Sequence, residues 1–123
     1  MLPSKYRFHS RGGVQATLRA GKTERGEKVS VVWAKNSRGG TRFGVTIGKK
    51  TLKSAVGRNR VRRRTYEIIR GWLGAQAERP QLDVIVILYS AEFREMPYGE
   101  FRERLVGLLS KTTKATHSGT KSV

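Results

Sequence analysis

Between Lys49 and Trp72 the chain reads KKTLKSAVGRNRVRRRTYEIIRGW. At about 100° per residue, Val61, Thr65, Ile68, Ile69 and Trp72 share one stripe of a helix. Arg63 and Arg70 fall opposite that stripe, Arg60 and Glu67 lie to one side of the polar face, and Arg62 and Arg64 border the stripe from either side. Any fold must therefore bury the stripe and leave guanidinium groups outside. Five arginines fall within the seven residues Arg58–Arg64, and in a bare helix they repel one another. A close polyanion removes that cost, and the planar fork of arginine suits phosphate. Two other uses of such a helix fit less well. A solvated face usually mixes signs. A membrane-surface helix needs its stripe free for lipid, whereas the strand-like segments on either side need it for their own core.

The chain has 123 residues, which suggests one domain, and 37% of them are hydrophobic, enough for one modest core. The formal net charge of +17 points to a polyanionic partner, most often nucleic acid. Arginines outnumber lysines, which favours bidentate contacts over diffuse charge. There is no cysteine, so disulfides, thiolate metal sites and a cysteine nucleophile are excluded. That composition fits a reducing cytosol. No apolar run reaches transmembrane length. The N-terminal MLPSKYRFHSRGG is basic without a following apolar stretch, so no signal peptide is expected. The expected location is cytoplasmic.

In chain order, residues 1–9 read as extended and basic. Ser10 can cap a short helix carrying Val14, Ala16, Thr17 and Leu18, with Gly21 as its stop. Residues 22–28 read as a polar loop. Val29–Ala34 is rich in β-branched residues and predicts a strand. After the turn KNSRGG, Thr41–Gly48 alternates, with Phe43, Val45 and Ile47 on one side. The two runs predict an antiparallel hairpin. The other side, with Gly44, Thr46 and Gly48, is stripped of bulk, which suits either a close-packed helix or a groove for an extended ligand. Gly74–Gln81 reads as a linker. Leu82–Tyr89 is nearly all aliphatic, as in a strand buried on both faces, so strand, arginine helix and strand form a βαβ unit. Ser90–Met96 is a connection, Pro97 opens a last helix, and Phe101, Leu105, Leu108 and Leu109 form its apolar stripe. The predicted order is α-β-β-α-β-α, an α+β chain folded as a small α/β sandwich with a three- or four-stranded sheet. Residues 1–110 form the domain, and residues 111–123 a basic, disordered tail.

No catalytic constellation emerges. The nine carboxylates form no metal-ligand pattern. Glu92, Glu95, Glu100 and Glu103 cluster at the start of the last helix, where they balance charge and complement its N-terminus. His9 and His117 could serve a metal-free ribonuclease as acid and base, but both lie in end segments. The chemistry of any reaction is expected to come from a partner.

The run Lys49-Lys50, then Ala55-Val56, then Arg58-Asn59-Arg60-Val61-Arg62-Arg63 resembles the protein component of bacterial ribonuclease P, and the element order fits over roughly residues 5–110. The resemblance implies an α/β sandwich of the kind seen in a ribosomal protein's second domain, with a left-handed βαβ crossover against the general right-handed preference. It implies binding to a large catalytic RNA, ribonuclease P RNA, which holds Mg2+ and cuts the 5′ leader from precursor tRNA while the protein contacts the leader. It assigns the RNA-facing set Lys49, Lys50, Lys53, Arg58, Asn59, Arg60, Arg62, Arg63 and Arg70. Asn59, the one neutral member, either contacts RNA or braces the crossover loop. The leader groove lies between the first helix and the sheet in this family, with Phe8, Val14, Leu18, Trp33 and Phe43 as its candidate walls; for Trp33 and Phe43 a core role is equally expected. The chain departs from the family pattern at Tyr66, where a basic residue is common, at Arg64, where an aliphatic is common, and at Val14, where a large aromatic is common. Two other readings remain open: a ribosomal or chaperone-type RNA-binding protein, and a free-standing ribonuclease using His9.

Overall fold

The computed structural model describes residues 17–19, 21–35, 41–48, 50–75 and 82–121. The backbone is helical at residues 17–19. Then follow β1 (Lys22–Arg25), β2 (Val29–Lys35), β3 (Arg42–Ile47), α1 (Ala55–Gly74), β4 (Leu82–Leu88), a 3-10 turn (Ala91–Arg94) and α2 (Tyr98–Lys121). The sheet order is β1-β2-β4-β3. β1 and β4 both run antiparallel to β2, while β3 and β4 are parallel neighbours joined across α1.

The sheet differs from the predicted hairpin. β2 and β3 do not pair, because β4 lies between them. The reason is apolar content. β4 is LDVIVIL and buried along nearly its whole length, so it takes a central place. β3 carries Gly44 and an exposed Thr46 and takes an edge. The segment read as a polar loop contains β1. Its KTER sequence is charged because an edge strand with one neighbour needs little apolar surface. The turn to β2 places Lys28 at φ 61°, in the left-handed region that a non-glycine residue enters at a cost. Tyr89 N–H donates to the Lys28 carbonyl at 2.9 Å and holds it there.

Register decides the two faces of the sheet. Val29, Val31 and Trp33 from β2, Phe43, Val45 and Ile47 from β3, and Leu82, Val84, Val86 and Leu88 from β4 share the face that α1 and α2 cover. α1 brings Val61, Ile68, Ile69, Trp72 and Leu73, and α2 brings Phe101, Leu105, Leu108 and Leu109. The Phe43 and Trp72 rings meet edge-on at 6.3 Å. On the second face Val32, Ile85 and Gly44 are also buried. Arg42 there forms a bidentate pair with its cross-strand neighbour Asp83, at 2.9 and 2.8 Å. Gly21 crosses the same face so closely that a Cβ would lie 2.6 Å from the Thr17 carbonyl and 2.7 Å from Val32 Cγ1. Only glycine fits that approach.

The predicted tail is helical as far as Lys121. Thr112 is still buried, and no proline or glycine interrupts residues 111–118, so nothing in that stretch ends the helix. The connection after β4 contains the 3-10 turn, capped by Ser90, whose hydroxyl accepts from Glu92 N–H.

Two polar devices hold this turn. Arg64 of α1 reaches it from the rim of the apolar seam. Its Nη1 donates to the carbonyls of Phe93 (2.6 Å) and Arg94 (3.0 Å), and its Nη2 donates to the Met96 carbonyl. The guanidinium also stacks 5.4 Å from the Phe101 ring centre. On the other side Glu92 accepts from Lys28 Nζ at 2.9 Å and from Arg104 Nη1 at 2.8 Å. Arg104 in turn bonds Glu100 at 3.1 Å and lies 3.8 Å from Glu27. The acidic cluster thus neutralises cations of the fold, as its position predicts.

Arg64→Leu keeps an aliphatic stem but strands three carbonyls, so it should lower stability by about 2–4 kcal/mol in urea unfolding; an unchanged midpoint would remove Arg64 from this role. Lys28, then Arg104, hold the Glu92 carboxyl below its ordinary range. A lowered carboxylate pKa contributes stability above the ordinary value of about 4.3, and that contribution is lost as pH falls through the lowered value. Glu92→Gln should therefore destabilise at neutral pH and converge with the parent in acid; a pH-independent difference would contradict it.

Candidate nucleic-acid interface

Ser54 caps α1 by accepting from Gly57 N–H at 3.1 Å. Ahead of the cap, Thr51 and Leu52 N–H both donate to the Gly48 carbonyl, closing the turn that carries the exposed Lys50 and Lys53. Lys49 lies outside the described residues. Arg58 folds back onto this loop and donates from Nη1 to the carbonyls of Leu52 and Lys53, both at 2.8 Å. It is the brace of the crossover loop, a role that the sequence leaves open for Asn59. Asn59 instead accepts from Arg62 Nη1 at 3.1 Å and sets the direction of that guanidinium.

The arginines of α1 therefore divide into three groups. Arg58 and Arg64 spend donors on backbone carbonyls. Arg62 is half-buried and steered by Asn59. Arg60 and Arg63 are exposed. Arg70 is exposed too, with Glu67 at 3.4 Å, the one carboxylate of the helix. A pair that open contributes little. The first turn of α1 has no acidic residue and the last has no basic one. Arg58, in that first turn, meets the positive end of the helix dipole, which disfavours it by about 0.3–1 kcal/mol, and the arginines that follow repel one another. Burial of the opposite seam, at about 1.5–3 kcal/mol per large apolar side chain, outweighs this. The folded chain holds an uncompensated cationic surface on a rigid helix, and a strand of phosphates is its natural complement.

The leader-binding residues divide differently. Phe43 is fully buried and Trp33 is 5% exposed, both in the core on the face packed against α1 and α2. They do not line a groove on the opposite face, so the core alternative describes them. Their alternation with smaller neighbours is the ordinary inward period of a strand. Leu18 is 40% exposed. Phe8, Val14 and His9 lie outside the described residues, as does the side chain of His117. Tyr66, at one family departure, packs partly against the core. Among the described residues no three of His, Cys, Asp or Glu converge on a point that could hold a metal.

The Ribonuclease P family profile matches residues 2–113. The ribonuclease P protein component of Acidothermus cellulolyticus is 33% identical over 116 residues, covering 91% of this chain and 94% of that protein. That of Thermus scotoductus is 36% identical over 95 residues, which are 77% of this chain and 53% of the relative, so the match spans about half the length of that protein. Among solved structures, the ribonuclease P protein of Thermotoga maritima superposes with a TM-score of 0.72 at 27% identity, covering 85% of this chain and 96% of that one. The Staphylococcus aureus protein gives 0.73 at 21% identity, over 87% and 94%, and shares the fold. A braced loop carrying Lys50 and Lys53 and leading into an arginine helix, a parallel β3–α1–β4 unit and a profile match over nearly the whole length agree: the chain belongs to the ribonuclease P protein family.

Proposed function

We propose that this chain is the protein subunit of a ribonuclease P holoenzyme. In this reading the exposed face of α1, with Arg60, Arg62, Arg63 and Arg70 and the neighbouring Lys49, Lys50 and Lys53, binds the catalytic RNA. Arg58 and Asn59 serve the same surface indirectly, one by fixing the lysine loop and the other by aiming Arg62. The observation that carries the proposal is the uncompensated guanidinium face of α1 on a helix anchored by its opposite side. The substrate is precursor tRNA, and the reaction is endonucleolytic removal of its 5′ leader in the cytoplasm. Mg2+, held mainly by RNA and substrate, supplies the hydrolytic chemistry, and this chain supplies phosphate binding and positioning. The leader is assigned to the second face of the sheet, near Thr17, Gly21 and Thr46, and not to Trp33 or Phe43.

Replacing Arg60, Arg62 and Arg63 together by Ala leaves the apolar seam intact. It should weaken binding to ribonuclease P RNA, and each lost phosphate contact should reduce the slope of log affinity against log salt by about one unit. A variant that binds with the parent affinity and slope would show that this face is not the interface.

A further inference from the structure

Arg94 belongs to no sequence motif and lies 30 residues beyond Arg64. It ends the 3-10 turn, and Arg64 binds the carbonyls of Phe93, Arg94 and Met96. The turn is therefore fastened to the flank of α1. The Arg94 side chain runs along that flank: a Cβ placed on Gly57 would lie 3.3 Å from Arg94 Nη1. Gly57 is buried beneath it, also against Leu52. Gly57 and Arg60 are three residues apart, so they neighbour each other on the helix surface at about 5–6 Å between Cβ positions. The Arg94 guanidinium thus lies beside the N-terminal half of α1, one helical turn from the exposed position Arg60.

Little holds Arg94 electrostatically within the fold. Its Nε is buried and donates to no acceptor among the described residues. Glu95 Oε1 is 3.5 Å away without hydrogen-bond geometry, on a side chain that is 74% exposed. Arg104, by contrast, has three carboxylates around it. A cation placed beside Arg60, with a loose partner and unused donors, is poorly explained by stability of the isolated chain. A phosphodiester between the two forks would accept from both.

We infer that Arg94 is a further RNA-binding residue, which together with Arg60 grips a phosphate of the catalytic RNA and extends the α1 face onto the 3-10 turn. The inference rests on the proposed role of α1. Its test is equilibrium binding of the full chain to a bacterial ribonuclease P RNA across a salt series. Arg94→Gln and Arg94→Lys are compared with Arg63→Ala and with Arg25→Gln, on the edge strand β1 at the far side of the sheet. Arg94→Gln should weaken binding several-fold and lower the salt slope by about one unit, while Arg94→Lys keeps the parent slope. Arg25→Gln should match the parent. Measurements are made well below each variant's melting point, so a packing role for Arg94 would leave the Arg94→Gln slope at the parent's and overturn the inference. If Arg63→Ala lowers the slope and Arg94→Gln does not, only the role of Arg94 falls. If neither does, the assignment of the α1 face falls with it.

Discussion

Burial of the α1 seam against β3, β4 and α2 is the interaction on which the rest of the molecule depends. Val61, Ile68, Ile69, Trp72 and Leu73 are all nearly inaccessible. At about 1.5–3 kcal/mol each, they exceed the adverse terms of the outer side, where like-charged neighbours cost about 0.2–0.5 kcal/mol per pair. The helix is stable as part of the fold although its own charges oppose it. That imbalance is also what makes it useful. The repulsion is present in the free chain, and in the proposed complex approaching phosphates would relieve it, so that part of the binding energy would come from removing a strain that the core has already overcome.

Arginine performs distinct tasks within one helix because position relative to the seam sets what each guanidinium can reach. Arg64, at the rim, is close enough to α2 to bind three carbonyls of the adjoining turn. Arg58, at the start, turns back to the crossover loop. Both are inward-looking residues that make the surface rigid. Arg60 and Arg63, farther round, are exposed and bond no carboxylate among the described residues. A phosphate-binding face needs such support, since a long side chain on a mobile loop loses more entropy on contact than one on a braced helix. Charge alone therefore misjudges this helix, because two of its five clustered arginines chiefly hold the protein together.

Much of the fold was legible in the residues. The period of Val61, Thr65, Ile68, Ile69 and Trp72 located α1 and its buried side, and the nearly all-aliphatic run marked β4 as a strand buried on both faces. Strand pairing was not legible. Val29–Ala34 and Thr41–Gly48 are joined by a short turn, and local spacing favours a hairpin; the competing pairing with β4 depends on a segment more than 30 residues later. β1 escaped notice because an edge strand needs no apolar alternation. α2 continues past its expected end: a polar composition reads as disorder, although no proline or glycine stands in residues 111–118. For the site, the exposed positions of Arg60 and Arg63 followed from helical geometry. The inward turns of Arg58 and Arg64 depend on where the loop and the 3-10 turn lie. Trp33 and Phe43 show the reverse case, in which residue type suggests base stacking and burial decides for the core.

The most direct test of the central claim is cleavage of precursor tRNA at low Mg2+ by this chain alone, by a bacterial ribonuclease P RNA alone, and by the two together. A holoenzyme subunit predicts cutting at the mature 5′ end only in the mixture. Cleavage by the chain alone would point to a ribonuclease in its own right. Tight RNA binding with no effect on cleavage would contradict the subunit role and favour a ribosomal or chaperone function.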